Sequence, residues 1–363
     1  MIPISRPVIS DDDIRLVSEA VASGWVSSLG QYIDRFERQF AEFCGVKHCV
    51  ALANGTVAIH LALKALGIGE GDEVIVPDLT FVATANMVRL AGAEPVIVDV
   101  RTADWCLDPS AVERAITPRT RALIPVHLYG HPAEMNELRA IAQAHELKVV
   151  EDAAEAHGAT YGGRRVGALG DCATFSFYGN KIITTGEGGA LTTDSDEIAE
   201  RARILRDHAM SKQRRYWHAE VGFNYRMTNL QAALGVAQLA RIDEFIAERD
   251  RILLAYRRYL DSDSLRLNPR LEGATPVNWM TCVLLNDPDR ARRDRVIGEL
   301  FAHGVEARPF FYPLSALPMY EGHTNPVAAD LSARGLNLPT YPGLPDADIE
   351  TVSRTLLRAI ESN

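Results

Sequence analysis

The sequence predicts an α/β protein with a large, doubly wound, mostly parallel sheet and a smaller α+β domain after it. Two observations carry this prediction. Short, continuous apolar runs alternate with helix-like segments through the first half of the chain, which is typical of parallel strands that are buried on both faces. From about residue 228 onward, the pattern changes to a long helical stretch followed by isolated strands and helices.

The elements of the large domain follow from periodicity. Ser10 is typical of a helix N-cap, and an apolar stripe at 33, 36, 40 and 43 indicates a second amphipathic helix. Predicted strands cover 49–52, 74–76, 96–98, 122–126 and 149–150, with helices at 58–65 and 135–145 between them. Ligands of such sheets bind beyond the carboxyl ends of the strands.

The C-terminal part has a different order of elements. After the long helix from 228, we expect a strand near 278–285, a helix over 291–303, a strand at 305–308 and a last helix after 346. The predicted division is therefore a large domain over 1–235 and a small C-terminal domain over 236–363.

Composition limits the classes of function. The 363 residues carry a formal charge of −10, which argues against a general nucleic-acid binder. No apolar run is long enough for a membrane span, so we expect a cytoplasmic protein without membrane partners. The five cysteines form no CxxC pair, and reduced, mostly buried thiols are expected.

One lysine stands among small and flexible residues. Lys181 ends the run 176–181 and precedes Gly186, soon after a predicted strand that ends at Asp152. A partly desolvated amine can form a Schiff base with an aldehyde cofactor, and an acid can pair with a pyridinium nitrogen. This pattern predicts pyridoxal 5'-phosphate (PLP) chemistry; the alternative is a surface lysine in a glycine-rich loop.

The other candidate residues have similar pairs of interpretations. Gly55 and Thr56 open a helix whose first amides favour a phosphate, although such helix starts are common. Phe81 can stack on a pyridine ring or be a core aromatic. Glu155 can reach the phenolic oxygen of the ring or be a plain helix charge, and Ser176 can donate to the phosphate.

Several tempting patterns are discounted. His127, His131 and Glu134 have metal-like spacing, but the intervening sequence makes a helical ligand pair implausible, and no metal is predicted. His157 is interpreted as a cap rather than a substrate contact. The run 186–189 lacks the context of a dinucleotide-binding loop and is interpreted as a turn into a strand. The basic cluster at 212–215 is either a local anion site or a solvated loop.

Five ordered motifs resemble one family. The motifs at 54–58, 77–84, 151–156, 176–181 and 222–227 are similar to those of the DegT/DnrJ-type nucleotide-sugar aminotransferases, which have PLP fold type I, the fold of aspartate aminotransferase. Further similarity to the perosamine-forming members lies at 24–28, 215–218, 308–313 and 335–339.

The resemblance implies a role for each matched residue. Lys181 would hold the cofactor covalently, Asp152 would pair with the pyridinium and Phe81 would stack on the ring, with Glu155 near the phenolic oxygen. Gly55, Thr56 and Ser176 would contact the phosphate, together with Asn224 from the neighbouring subunit of a homodimer with shared active sites. Many relatives have glutamine at the position of Glu155, and a dehydrating branch has histidine in place of Lys181.

The implied reaction moves an amino group from L-glutamate to a nucleotide-linked 4-keto-6-deoxy sugar, on the perosamine resemblance GDP-4-keto-6-deoxymannose. Substrate contacts are expected from Trp217, His218, Arg308 and Tyr312. Two alternatives remain open: an aminotransferase for another keto sugar or a ketocyclitol in antibiotic or polysaccharide biosynthesis, and a regulatory relative without turnover.

Overall fold

The computed structural model describes residues 1–261, 263–322 and 324–362. Its helices are α1 (Asp11–Ala22), α2 (Gln31–Cys44), α3 (Gly55–Ala65), α4 (Ala83–Ala91), α5 (Pro109–Ala115), α6 (Met135–Ala144), α7 (Asp196–Leu205), α8 (Asn229–Leu239), α9 (Ile242–Tyr259), α10 (Arg290–Ala302), α11 (Pro326–Arg334) and α12 (Asp346–Ser362). Its strands are β1 (His48–Leu52), β2 (Glu73–Pro77), β3 (Glu94–Val98), β4 (Thr120–Leu123), β5 (Lys148–Asp152), β6 (Thr160–Tyr161), β7 (Arg164–Arg165), β8 (Cys172–Ser176), β9 (Gly189–Thr193), β10 (Leu265–Leu267), β11 (Ala274–Thr275), β12 (Thr281–Leu285), β13 (Arg308–Pro309) and β14 (Gly335–Leu338).

A seven-stranded sheet in the order β1-β9-β8-β5-β4-β2-β3 organises the larger part of the molecule. The strands from β8 to β3 are parallel, whereas β9 runs antiparallel to both β8 and β1. The predicted α/β class with a mostly parallel sheet is confirmed. Strand β8 is missing from the predicted strands, while the predicted turn into a strand after residue 186 is confirmed by β9.

This topology brings the predicted site residues to one edge of the sheet. The carboxyl ends of β1, β2, β5 and β8 meet there, together with the start of β9, because Gly189 pairs with both Leu52 and Ser176. Gly55 and Phe81 lie in the segments that follow β1 and β2, and Asp152 is the last residue of β5. Residues far apart in the chain therefore share one crevice.

The smaller part of the molecule is built on a four-stranded antiparallel sheet in the order β10-β12-β14-β13. Its apolar core takes side chains from α9, α10 and α12, such as Tyr256, Val296 and Val352. The N-terminal segment joins this part, because Ile2 forms a bridge with Val305 and the amide of Thr340 donates to the carbonyl of Ile4. The division at residue 235 stays a prediction.

The predicted long helix from residue 228 is two helices, α8 and α9, with a break at Ala240 and Arg241. Helix α8 packs on α1 and α2, whereas the second half of α9 packs into the core of the small sheet. The start of α9 remains in the same core as α8, through Ile242 and Phe245. At the break, Arg241 has a φ of −114° and a ψ of 10°, which lie outside the helical range.

Other predicted features are confirmed with small shifts in bounds. Ser10 caps α1 through a reciprocal capping box with Asp13. The predicted strand at 305–308 is reduced to β13, and the predicted strand near 278–285 begins only at Thr281, since Asn278 has a φ of 47°. All five cysteines are free and buried, as expected. Among the described residues, no helix is both long and apolar enough to cross a bilayer.

Candidate active site

A cavity of about 620 Å³ lies at the carboxyl edge of the large sheet, where the small sheet faces it. Its wall includes most of the residues that the sequence predicted, namely Gly55, Thr56, Phe81, Asp152, Glu155, Ser176, Lys181 and Arg308. Side chains near the small sheet, among them Trp279, Phe311 and Asn337, complete the wall. The cavity is therefore bounded by both parts of the molecule.

The start of α3 forms a crevice lined by backbone. Asn54 caps the helix, because its side chain accepts a hydrogen bond from the amide of Val57 at 3.0 Å. The first amides of a helix have no intrahelical acceptor and, with the helix dipole, attract anions. A Cβ added to Gly55 would lie 2.6 Å from Cβ of Ser176 and 3.1 Å from its Cα, so only glycine fits against the end of β8.

Asp152 is a buried carboxylate that opens onto the cavity at the end of β5. Its Oδ2 accepts a hydrogen bond from the Thr84 hydroxyl at 2.8 Å, and its Oδ1 accepts one from the Ala154 amide at 3.2 Å. Burial raises the pKa of Asp152, and the two hydrogen bonds and the nearby Lys181 oppose this effect. An opposite charge in the cavity would stabilise the ionised form.

Lys181 and Glu155 face each other across the floor of the cavity. Their Nζ and Oε1 atoms are 3.8 Å apart, and the second oxygen of Glu155 accepts from the amide of Tyr129 at 2.7 Å. Burial raises the pKa of Glu155 to about 7. Burial also lowers the pKa of Lys181, whereas Glu155 and Asp152 raise it, and the net lowering increases the share of the neutral, nucleophilic amine.

Phe81 is 55% exposed and lines the cavity, which contradicts its alternative interpretation as a core aromatic. Its ring is tilted against Phe311, with the centroids 5.8 Å apart. Phe311 in turn stacks on Tyr129 at 5.4 Å. Phe81 thus offers an aromatic surface to a ligand ring at the cavity wall.

The wall also contains residues to which the sequence assigns no role, among them Thr84, Tyr129 and Trp279. Thr84 lies one helical turn after Phe81, and this spacing is a signal that places both on the same side of a helix start. Tyr129 has a φ of 52°, and Trp279 comes from the segment before β12. Their positions depend on tertiary contacts, so no local pattern identifies them.

Four predicted residues do not line the cavity of this chain: Asn224, Trp217, His218 and Tyr312. Asn224 is exposed, and its side-chain oxygen accepts from Arg226 Nε at 3.0 Å. Trp217 and His218 lie in the exposed loop that carries the basic cluster, with the Arg214 guanidinium over the Trp217 ring. Their roles remain predictions.

The discounted histidines have structural roles. His127 is buried, with Nε2 at 3.0 Å from Glu151 and Nδ1 accepting from the amide of Ala133 at 3.0 Å. His131 contacts the carbonyl of Pro132 through Nδ1. His157 is buried beside the rings of Phe40, Phe175 and Phe177 rather than at a helix end, and burial lowers its pKa to about 3. It therefore neither lines the cavity nor caps a helix, and the prediction of a cap is wrong.

Comparison with known proteins agrees with this geometry. The model of the DegT/DnrJ/EryC1/StrS aminotransferase family matches residues 7–357. The chain belongs to this family. Membership makes it a PLP-dependent aminotransferase, as the sequence predicts.

Two curated relatives of the family are similar over nearly their whole length. A GDP-perosamine synthase from Caulobacter vibrioides is 48% identical over 98% of this chain and 97% of the relative. A GDP-perosamine synthase from Vibrio cholerae is 42% identical over 97% of each chain. Among solved structures, DesV from S. venezuelae in complex with a ketimine intermediate is 38% identical, with a TM-score of 0.90 over 96% of this chain and 94% of that chain.

The residues in the cavity fit the family's cofactor. The crevice at Gly55 presents helix amides to an anion, and a Cβ there would fill it. Asp152 supplies a carboxylate, Lys181 an amine and Phe81 an exposed ring, all in the wall of the same cavity. This is the donor set that a phosphorylated pyridine aldehyde requires.

Proposed function

We propose that this enzyme transfers the amino group of L-glutamate to C-4 of GDP-4-keto-6-deoxymannose, yielding GDP-perosamine and 2-oxoglutarate. The observation that carries the proposal is the similarity to two GDP-perosamine synthases at 48% and 42% identity over almost the whole chain. Another keto sugar, a ketocyclitol or a role without turnover is not favoured by these relatives.

The proposed cofactor contacts follow the cavity wall. Gly55, Thr56 and Ser176 would hold the phosphate, Phe81 would stack on the ring, and Asp152 would pair with the ring nitrogen. When bound, PLP supplies an aldehyde that carries the amino group and a ring that stabilises negative charge at the reacting carbon. The buried carboxylate of Asp152, held by Thr84, would keep the nitrogen protonated.

Lys181 is the proposed acid and base. Its amine removes the proton from the α-carbon of glutamate in the first half-reaction and delivers a proton to the former carbonyl carbon of the sugar in the second. Burial supports this role, because it lowers the pKa of Lys181 and so increases the neutral fraction that can accept a proton. Glu155, 3.8 Å away, is placed to stabilise the protonated form that follows.

The working unit of the proposal is a homodimer in the cytoplasm, serving polysaccharide biosynthesis. Asn224 supports shared active sites, since it is exposed and outside the cavity of its own chain although it belongs to one of the family motifs. Arg308 is retained as a substrate contact because it lines the cavity and is exposed. The other three predicted substrate contacts do not line this cavity, so they would contact only a part of the substrate that extends beyond it: Trp217, His218 and Tyr312.

The experiment is a comparison of acceptors. The purified enzyme is incubated with PLP, glutamate and a panel of nucleotide-linked keto sugars, including C-3 ketones and GDP-4-keto-6-deoxymannose, and the products are identified by mass spectrometry and NMR. We expect an amino group at C-4 of the GDP-linked sugar with the highest kcat/KM. A higher kcat/KM for any other acceptor, or no amino transfer from glutamate, would contradict the proposal.

A further inference from the structure

Trp279 contacts the reactive lysine from the side of the small sheet. The Nζ atom of Lys181 lies over its ring, 4.1 Å from the centroid. The indole Nε1–H donates to the carbonyl of Asn180 at 2.7 Å, one residue before the lysine. One side chain thus touches both the amine and the backbone that carries it.

Both the ring and the backbone of Trp279 are held in place by neighbouring residues. Its ring is stacked parallel to Tyr129, and its backbone amide donates to the carbonyl of Tyr129 at 3.2 Å. The buried guanidinium of Arg249 donates to the carbonyl of Trp279 at 2.6 Å. Only 5% of Trp279 is exposed. The ring therefore has little freedom to leave the lysine.

We propose that the face of Trp279 is a cation–π site for the ammonium form of Lys181, so that Trp279 is a positioning residue for the proton transfers. A cation over an indole face is attracted by the ring quadrupole. Each time the amine takes up a proton it becomes such a cation, and the cation–π interaction holds it at one position in the cavity. The inference rests on the proposed role of Lys181 and is independent of which sugar is the acceptor.

The strength of the cation–π site can be measured through the pKa of Lys181, which also depends on the other titratable groups nearby. Glu155 and Asp152 raise the pKa of the lysine, burial lowers it, and His157 is a further titratable neighbour. Replacing Trp279 by leucine keeps an apolar neighbour and all three of these groups but removes the ring. If Trp279 stabilises the cation, its replacement lowers the pKa of Lys181. If Trp279 has only a structural role, its replacement lets water reach the amine and raises the pKa.

The test uses protein without cofactor, so that it does not depend on turnover. The rate of modification of Lys181 by trinitrobenzenesulfonate is followed against pH with peptide mapping in wild type, Trp279→Leu, Trp279→Phe and the control Trp105→Phe. Trp105 is a buried tryptophan that packs on Phe310 outside the cavity. We expect the pKa of Lys181 to fall by about half a unit to one and a half units in Trp279→Leu and by less in Trp279→Phe, with no change in the control.

An unchanged or higher pKa in both Trp279 variants would overturn the proposal. If the leucine variant does not fold, the phenylalanine variant alone decides, because it keeps a ring with a weaker quadrupole. A second readout is the half-reaction with glutamate alone, for which we expect a slower step in both variants without loss of PLP binding. Failure of the sugar assignment would leave both readouts unaffected.

Discussion

At the scale of single residues, the pKa values of Glu155 and Lys181 are set by two opposing effects, burial and the charge of the other residue. Glu155 lies 3.8 Å from Lys181, yet burial dominates and raises its pKa to about 7. The folded protein therefore retains a proton on Glu155 over a range in which the unfolded chain has released it. An amide at this position would carry no charge at any pH.

Glu155→Gln is expected to change the pH dependence of stability. Since the folded pKa of Glu155 lies above its ordinary value of 4.5, the stability of the cofactor-free protein falls as pH rises from that value through about 7. Between about pH 5 and about pH 8, the free energy of unfolding measured in urea should fall by about 1–3 kcal/mol more for wild type than for Glu155→Gln. The matched control is Glu42→Gln, which replaces an exposed glutamate of α2 and should leave the profile of wild type unchanged. Parallel pH profiles of wild type and Glu155→Gln would contradict the raised pKa.

At the scale of elements, the start of α3 and the end of β8 approach closely to form the crevice that we propose for the phosphate. The contact is between Gly55 and the backbone of β8, which cannot rotate away as a side chain can. An added methyl group would also meet the carbonyl of Phe175 at 3.2 Å. The helix start and the strand end would then have to separate.

Gly55→Ala is expected to weaken PLP binding about tenfold or more, since overpacking of this size costs about 1–3 kcal/mol. Equilibrium dialysis of the cofactor-free protein measures the effect. The matched control is Gly298→Ala in α10, where an added Cβ meets nothing within 4 Å. Equal affinity of Gly55→Ala and Gly298→Ala for PLP would show that the crevice does not hold the phosphate.

The order of elements also explains which parts were predictable from sequence. Asp152 ends a buried strand, Gly55 opens a helix and Phe81 lies just after a buried strand, and local periodicity identifies such positions. Trp279 could not be identified in this way, because its contact with Lys181 joins segments about a hundred residues apart. The break between α8 and α9 could not be identified from local sequence either, because neither glycine nor proline marks it and apolar residues continue on both sides of it in the same core.

At the scale of the whole molecule, one chain supplies most of the proposed site but leaves Asn224 outside it. The side chain of Asn224 is exposed and is oriented by Arg226, which also pairs with Asp207 at 2.8 Å. An oriented polar group on the surface is available to a second copy of the chain. A symmetric dimer would then complete two sites at once.

Shared sites predict complementation between two impaired variants. Lys181→Ala and Asn224→Ala homodimers should each be impaired, whereas a mixture refolded or exchanged together should recover about a quarter of wild-type activity, because half of the dimers are hybrid and each hybrid has one intact site. The control is each variant taken through the same procedure alone. A mixture no more active than the mean of its parents would mean that each chain builds its own site.

The central claim is that the amine of Lys181 binds the cofactor covalently. The most direct measurement is reduction of the PLP-loaded enzyme with borohydride, followed by proteolysis and mass spectrometry of the labelled peptide, with Lys181→Ala as the control. We expect a single phosphopyridoxyl group on Lys181 in wild type and none in the variant. A label on another residue, or no label at all, would contradict the account.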